Sequence, residues 1–256
     1  MILNAEKTKP TLVLLHGWGL NHAIWQPVVE ALAGQYPVLA LDLPGYGLTT
    51  DRPEPYQLSA LADQLADQVP AQSFVLGWSL GGLVATELAL RHPDKVKSLA
   101  LVASSPCFLQ QPDWPGMNAQ VMQQFAGALS ANLALTVERF LAIQAMGSTT
   151  ARQDIKQLKQ AVLSLPMPEA RVLAEGLNIL ATTDLRSALA TLNMPLYGCF
   201  GRLDSLVPVA VTELLSQLVP QARITVIAKA SHAPFISHQA EFLAWLLDWL
   251  QTADAL

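Results

Sequence analysis

Gly77-Trp78-Ser79-Leu80-Gly81 lies between an apolar run, Ser73 to Leu76, and a helix-like run, Leu83 to Leu90. A β-like run, a G-x-S-x-G element and an α-like run in that order describe a sharp strand-to-helix turn with serine at its apex. Such a turn lifts the hydroxyl above a sheet, and the flanking glycines relieve the crowding that side chains would cause there. The helix behind the serine aims backbone N–H groups at negative charge developing beside it. Ser79 is therefore expected to be a nucleophile.

A serine nucleophile needs a base, and the base needs an orienting acid. The chain has five histidines. His232 follows the β-like run Ile224 to Ala228, in the loop Ser231-His232-Ala233-Pro234. Asp204 follows the apolar run Leu196 to Phe200, in Gly201-Arg202-Leu203-Asp204. The order Ser79, Asp204, His232 is that of an α/β-hydrolase, whereas chymotrypsin and subtilisin orders place the serine last. His232 is expected to take the Ser79 proton and return it to the leaving group, and Asp204 to hold the imidazole tautomer.

Other candidates fit worse. Asp42 also follows an apolar run, but it precedes the serine, so a structural role in its turn is expected. His16 opens His16-Gly17-Trp18-Gly19 after the first buried run, which suits bracing of a loop. His22 and His92 read as surface or helix-end residues, and His238 as a residue that caps or flanks the last helix. Two backbone donors are expected for the oxyanion: Leu80 N–H, next to the nucleophile, and Trp18 N–H, in the loop after Thr11–Leu15. The Trp18 indole is expected to wall the acyl pocket, packing alone being the alternative.

The rest of the chain supplies a scaffold for this site. At 256 residues and 52% hydrophobic it can bury one large core. Its charged fraction of 14% suits a sheet whose buried strands read as continuous apolar runs. Runs at Thr11–Leu15, Val38–Leu41, Ser73–Leu76 and Ser98–Ala103 alternate with helical stretches, Leu58–Val69 and Leu83–Leu90, which predicts a mostly parallel sheet flanked by helices. From about Gln111 to Arg186 no β-like run occurs. Helical stretches stand there instead: Ala119–Leu129, Leu133–Met146, Thr150–Leu163 and Glu169–Leu180. Strand–helix alternation resumes at Pro195. The predicted organisation is an α/β-hydrolase core, residues 1–110 and 186–256, with a helical cap, residues 111–185, inserted over the catalytic face.

Composition also excludes several functions. A net charge of −5 argues against nucleic acid as a partner. No apolar run reaches the roughly 18 residues of a membrane span, and the first residues lack the pattern of a signal peptide. Cys107 and Cys199 form no C-x-x-C, so reduced thiols and a cytoplasmic location are expected. There is no H-E-x-x-H, phosphate-binding glycine loop or Cys/His cluster, so neither metal nor other cofactor is expected.

The cap region balances six basic residues (Arg139, Arg152, Lys156, Lys159, Arg171, Arg186) against six acidic ones (Asp113, Glu138, Asp154, Glu169, Glu175, Asp184). Arg152, Lys156 and Lys159 fall at i, i+4 and i+7 on one helical face. Spacing alone leaves two readings open, a solvated face or a docking stripe for an acidic partner.

Longer segments carry a closer resemblance. They are His16-Gly17-Trp18-Gly19-Leu20-Asn21, Gly77-Trp78-Ser79-Leu80-Gly81-Gly82, Ala103-Ser104-Ser105-Pro106-Cys107-Phe108, Trp114-Pro115-Gly116, Thr136-Val137-Glu138-Arg139-Phe140-Leu141-Ala142, Leu165-Pro166-Met167-Pro168-Glu169, and Ala230 to His238. In these the chain resembles the α/β-hydrolase family and, within it, the methyl ester esterases of biotin synthesis. The resemblance spans core and cap. It implies a serine carboxylesterase cleaving the methyl ester at the far end of a pimeloyl chain carried on the phosphopantetheine arm of acyl carrier protein. It further implies that Trp18, Leu80, Phe140, Gln144 and His232 contact the substrate, and that the cap cations Arg139, Arg152, Lys156 and Lys159 meet the acidic carrier. Leu135 stands where a further basic residue is expected, and Lys156 where arginine is. Lysine keeps the charge but loses the planar fork. A monomer is expected. The rival readings are a general short-chain carboxylesterase, a carbon–carbon hydrolase on the same triad, and a non-catalytic receptor on the same scaffold.

Overall fold

The computed structural model describes residues 9–131, 135, 136, 139, 142 and 149–255. Six strands form one sheet: β1 (Leu12–Leu15), β2 (Val38–Leu41), β3 (Ser73–Trp78), β4 (Val96–Val102), β5 (Leu196–Gly201) and β6 (Arg223–Ile227). All five pairings are parallel, in the order β2-β1-β3-β4-β5-β6. The burial pattern explains the order. Strands β1, β3 and β5 are buried at every position, because helices cover both faces and alternation is unnecessary. The outer strand β6 is exposed at Arg223 and Thr225, where one face and one edge meet solvent.

The order reverses between β1 and β3. A crevice opens at such a reversal, outside the carboxyl ends of the two strands. The residues placed there are His16, Gly17 and Trp18 after β1, and Ser79 after β3. A Cβ added at Gly17 would stand 3.2 Å from the Ser79 Cβ, so the two loops are in contact. Topology thus delivers the serine to the switch point.

The helix Leu80–Arg91 packs behind the serine and is buried along most of its length. The closing helix Gln239–Asp254 buries Phe242, Leu246 and Trp249. Between β4 and β5 the chain leaves the sheet. The helices Ala119–Ala131, Ala151–Leu163 and Ala170–Thr182 lie in this segment, and most of the predicted helix Leu133–Met146 falls outside the described residues. Among the described residues no strand occurs there, although isolated bridges pair Leu109 with Met117 and Gln111 with Trp114. The two ends of the segment meet at its base. Cys107 bridges Asp184, and Leu185 N–H donates to Pro106 O at 2.8 Å.

The segment is bound to the core at several points. Asn21 Nδ2 donates to Ala161 O at 2.9 Å, and Trp18 Nε1–H donates to Leu173 O at 2.8 Å. Gly176, in mid-helix, costs about 1 kcal/mol of helix propensity relative to alanine. The close approach explains it, since a Cβ there would stand 2.8 Å from the Tyr46 hydroxyl and 2.9 Å from Trp18 Cδ1.

Candidate active site

Ser79 has φ 55° and ψ −120°, a conformation that costs a non-glycine residue of order 1–3 kcal/mol. Its surroundings hold it there. Ser79 N–H donates to Val102 O at 3.1 Å, and Ser104 Oγ–H donates to Ser79 O at 2.8 Å. The glycines let the turn close. A Cβ at Gly81 would stand 2.5 Å from His16 O, and one at Gly77 would run into the Gly81 carbonyl. The helix therefore begins at Leu80, three residues before its apolar periodicity becomes legible. As the first helical residue, Leu80 has an N–H without an intrahelical acceptor.

His232 and Asp204 come from the loops after β6 and β5, and both are buried. His232 Nδ1 lies 2.7 Å from Asp204 Oδ2. The other carboxylate oxygen accepts from Leu206 N–H at 2.8 Å and Val207 N–H at 3.0 Å. A carboxylate accepting from three donors requires the imidazole proton on Nδ1. Nε2 is then an acceptor, and it is buried without a hydrogen-bond partner. Burying a polar atom unpaired costs about 1–3 kcal/mol, so the site carries a base that is short of a proton donor. Trp78, next to the serine, fixes the far side of the histidine: its Nε1–H donates to His232 O at 2.8 Å.

The other histidines are bound elsewhere. His16 Nδ1 lies 2.8 Å from Gly17 O, and Leu43 N–H donates to its Nε2 at 3.0 Å. Both ring nitrogens are occupied. Burial lowers its pKa to about 4. Asp42 accepts from His22 N–H at 2.7 Å, from Leu48 N–H at 2.9 Å and pairs with His22 Nδ1 at 2.8 Å, so it braces its turn. His92 ends the helix Leu80–Arg91 and pairs with Asp63 at 2.7 Å. His238 immediately precedes the last helix without a side-chain cap bond.

Ser79 opens on a narrow apolar pocket lined by Phe108, Met117, Met122, Leu177, Leu180 and Leu206. Most of these come from the inserted segment, and sequence reasoning assigned none of them to the site. The only signal available was apolar periodicity, which is the same for a pocket wall as for a core. Trp18 and Leu80 lie beside the serine, but both side chains are buried and neither lines this pocket. Phe140 and Gln144 fall outside the described residues.

On the helix Ala151–Leu163 the buried residues Asp154, Leu158 and Ala161 define the inner face. Arg152, Lys156 and Lys159 occupy the opposite one. Arg152 and Lys156 are exposed, Lys159 is half-buried, and Arg139 is exposed. Among the described residues, no carboxylate lies within ion-pair distance of Arg152 or Lys156. Arg171 and Arg186 of the same segment are paired with Glu54 and Glu175, and with Asp113 and Asp184. No cluster of three or more His, Cys, Asp or Glu among the described residues is placed to hold a metal ion.

A parallel sheet with a serine elbow at its switch point and a His–Asp pair on the following strands defines an α/β-hydrolase. The alpha/beta hydrolase fold model matches residues 10–239, and the chain belongs to that family. Its relatives narrow the class. The chain is 49% identical over 243 residues to the pimeloyl-[acyl-carrier protein] methyl ester esterase of Aliivibrio salmonicida, covering 95% of this chain and 93% of that one. It is 50% identical over 235 residues to the protein of the same name from Aeromonas hydrophila, covering 91% and 92%. An esterase from Exiguobacterium antarcticum superposes with a TM-score of 0.85 at 20% identity, over 95% of this chain and 92% of that one, a likeness of fold.

Proposed function

We propose that this chain is a serine carboxylesterase that hydrolyses the methyl ester of pimeloyl-[acyl-carrier protein], releasing methanol and the free carboxylate, as a step in biotin synthesis. The observation that carries the reading is the near-50% identity, over almost the whole chain, to esterases bearing that name. The His232–Asp204 pair with its unpartnered buried Nε2 supports the chemistry.

Ser79 Oγ attacks the ester carbonyl while His232 Nε2 takes its proton, and Asp204 stabilises the imidazolium. The tetrahedral oxyanion is held by Leu80 N–H and Trp18 N–H. Collapse expels methoxide, which leaves as methanol with the His232 proton and leaves an acyl-enzyme on Ser79. Water, deprotonated by His232, then attacks the acyl-enzyme. The second collapse returns the His232 proton to Ser79 and releases the carboxylic acid, which gives its own proton to solvent and leaves as the carboxylate. No step calls on a metal or other cofactor.

Residues 111–185 act as a cap over this centre, and Phe140 and Gln144 contact the acyl chain or its ester, as in the family that the chain resembles. Arg139, Arg152, Lys156 and Lys159 receive the acidic carrier. That no described carboxylate lies within ion-pair distance of Arg152 or Lys156 supports this role, because such cations are available to a partner. The enzyme works as a monomer in the cytoplasm, with every member of the triad drawn from one chain and two buried free thiols, Cys107 and Cys199, suited to a reducing compartment.

The test is hydrolysis of synthetic pimeloyl-[acyl-carrier protein] methyl ester, followed by methanol release. Wild type should cleave it far faster than the methyl ester of free pimelate, and Ser79→Ala should be inactive on both. Equal rates on carrier-bound and free esters would reduce the protein to a general carboxylesterase.

A further inference from the structure

Gly17 O and Trp18 N–H belong to the same peptide group. In a trans peptide the two bonds lie in one plane and point in opposite directions, so fixing the carbonyl fixes the N–H. His16 does this. Its Nδ1 stands 2.8 Å from Gly17 O, and because Leu43 N–H donates to Nε2 at 3.0 Å, the single ring proton must sit on Nδ1. The bond from His16 to Gly17 O is therefore a true donation.

We infer that His16 is a positioning residue for catalysis: its Nδ1–H holds the Gly17–Trp18 peptide so that Trp18 N–H faces the oxyanion forming on the Ser79 adduct. This rests on the reading of Trp18 N–H as an oxyanion donor. Three further observations support it. The imidazole is fully buried, so water does not compete for Gly17 O. The Tyr46 ring stands edge-on to it, with ring centroids 5.3 Å apart, which restrains rotation about χ2. Asp42 Oδ1 lies 3.8 Å from Nε2, beyond hydrogen-bond distance, so it takes no proton from that nitrogen and leaves it free to accept from Leu43. Donation into a peptide carbonyl also polarises the N–H of the same group, which strengthens it toward a developing negative charge.

The opposite side of the peptide is anchored too. The Trp18 indole donates to Leu173 O on the helix Ala170–Thr182. The donor therefore sits between a fixed carbonyl and a fixed side chain, and it needs no reorganisation when charge appears. Preorganisation of this kind is what makes an oxyanion hole effective.

The two ring nitrogens can be separated by substitution. In His16→Asn the side-chain amide reaches the Nδ1 position and can still donate to Gly17 O. In His16→Gln the amide reaches the Nε2 position and can accept from Leu43 while losing the donation to Gly17. With p-nitrophenyl acetate as substrate, His16→Gln should lose roughly 10- to 100-fold in kcat, part of the ~100- to 1,000-fold that a whole oxyanion donor supplies. Its KM should change less than about twofold, since the effect is confined to the transition state. His16→Asn should stay within about fivefold of wild type in kcat. A residue that merely braced the Leu43 turn would give the reverse order, because only glutamine preserves that contact. That reverse order, or wild-type kcat in His16→Gln, overturns the inference. Thermal unfolding of both variants shows whether each is folded, and an unfolded His16→Gln moves the same comparison to His16→Ala, with and without added imidazole. Rescue by imidazole supports the inference, and its absence in a folded His16→Ala counts against it. Replacing Trp18 by its α-hydroxy analogue, which turns the peptide into an ester and removes the N–H, tests the underlying reading separately. A large loss of kcat there with none in His16→Gln refutes the role of His16 alone, and no loss in the analogue refutes the donor itself.

Discussion

Acid should destabilise this protein through His16. Its imidazole is fully buried, and that burial lowers its pKa from 6.5 to about 4, against smaller raising effects from the Gly17 bond and Asp42. The folded chain therefore keeps His16 neutral at a pH where the unfolded chain protonates it. Stability from this source is complete above the unfolded value of 6.5, and it is lost as pH falls from there toward about 4. One pKa unit is worth about 1.4 kcal/mol, so roughly 2.5 kcal/mol is gone by about pH 4.5. Complete burial leaves solvent little room to screen the effect. The assay is urea unfolding of wild type and His16→Asn at about pH 7 and about pH 4.5. Asparagine does not titrate, so wild type should lose roughly 2.5 kcal/mol more than the variant between the two conditions. Other acid effects cancel in the comparison. One is protonation of Asp63, whose carboxyl is held down to about 2 by its hydrogen bond from Arg91 and which makes no contact with His16. Equal losses in the two proteins would show that His16 is not buried neutral, and the reasoning would fall.

Ser79→Ala, His232→Ala and Asp204→Asn should each remove most ester hydrolysis without unfolding the chain, and a Ser79→Ala/His232→Ala double variant should be no slower than the worse single one. A double variant much slower than both would show that the residues do not act as a unit. Reversing two of Arg152, Lys156 and Lys159 to glutamate should lower kcat/KM for the carrier-bound ester by roughly 10-fold, since exposed pairs are each worth ~0.2–1 kcal/mol. That loss should shrink as salt rises, and a small soluble ester should be unaffected; equal losses on both substrates would mean that the cap itself was damaged. Gly176→Ala should lower the melting temperature, because overpacking against Tyr46 and Trp18 costs ~1–3 kcal/mol against a gain in helix propensity of about 1. A rise in Tm would refute the close approach as the reason for glycine there.

The strands were legible as apolar runs, at the half-buried edge strand β2 as well as at the central ones, which a parallel sheet covered on both faces buries whole. Val38–Leu41 matches the observed β2 residue for residue, and β1, β3 and β5 differ from their predicted runs only at the ends. The helix behind Ser79 starts at Leu80, ahead of the Leu83 start that apolar periodicity predicts, since Gly81 and Gly82 serve close packing against β1 and Ser104 and carry no helical signal. The pairing of His232 with Asp204 was legible because chain order and placement after strands constrain one another, and the structure brings the two within 2.7 Å. Asp42 was read as a turn residue, and its three bonds to His22 and Leu48 agree. Met117, Met122, Leu177 and Leu180 were not legible as pocket residues. Nothing in a helical apolar stripe distinguishes a wall facing a small cavity from one facing another helix.

Because Cys107 meets Asp184, and Pro106 meets Leu185, the segment between them departs and returns through a single doorway. A stretch with adjacent ends can lengthen, shorten or be exchanged while the strands on either side keep their register, since the closure cost grows only slowly with loop length. Most of the pocket wall and the exposed cations Arg152 and Lys156 are carried by that stretch, whereas Ser79, His232 and Asp204 are not. Under the proposed function, recognition and reaction therefore lie on separable pieces of the chain. Transplanting residues 107–184 from a relative with a different substrate is the direct route to a new specificity on this catalytic floor, with the hydrogen bonds of Asn21 and Trp18 and the ion pairs of Arg52 and Glu54 among the contacts that the incoming piece must be able to accept.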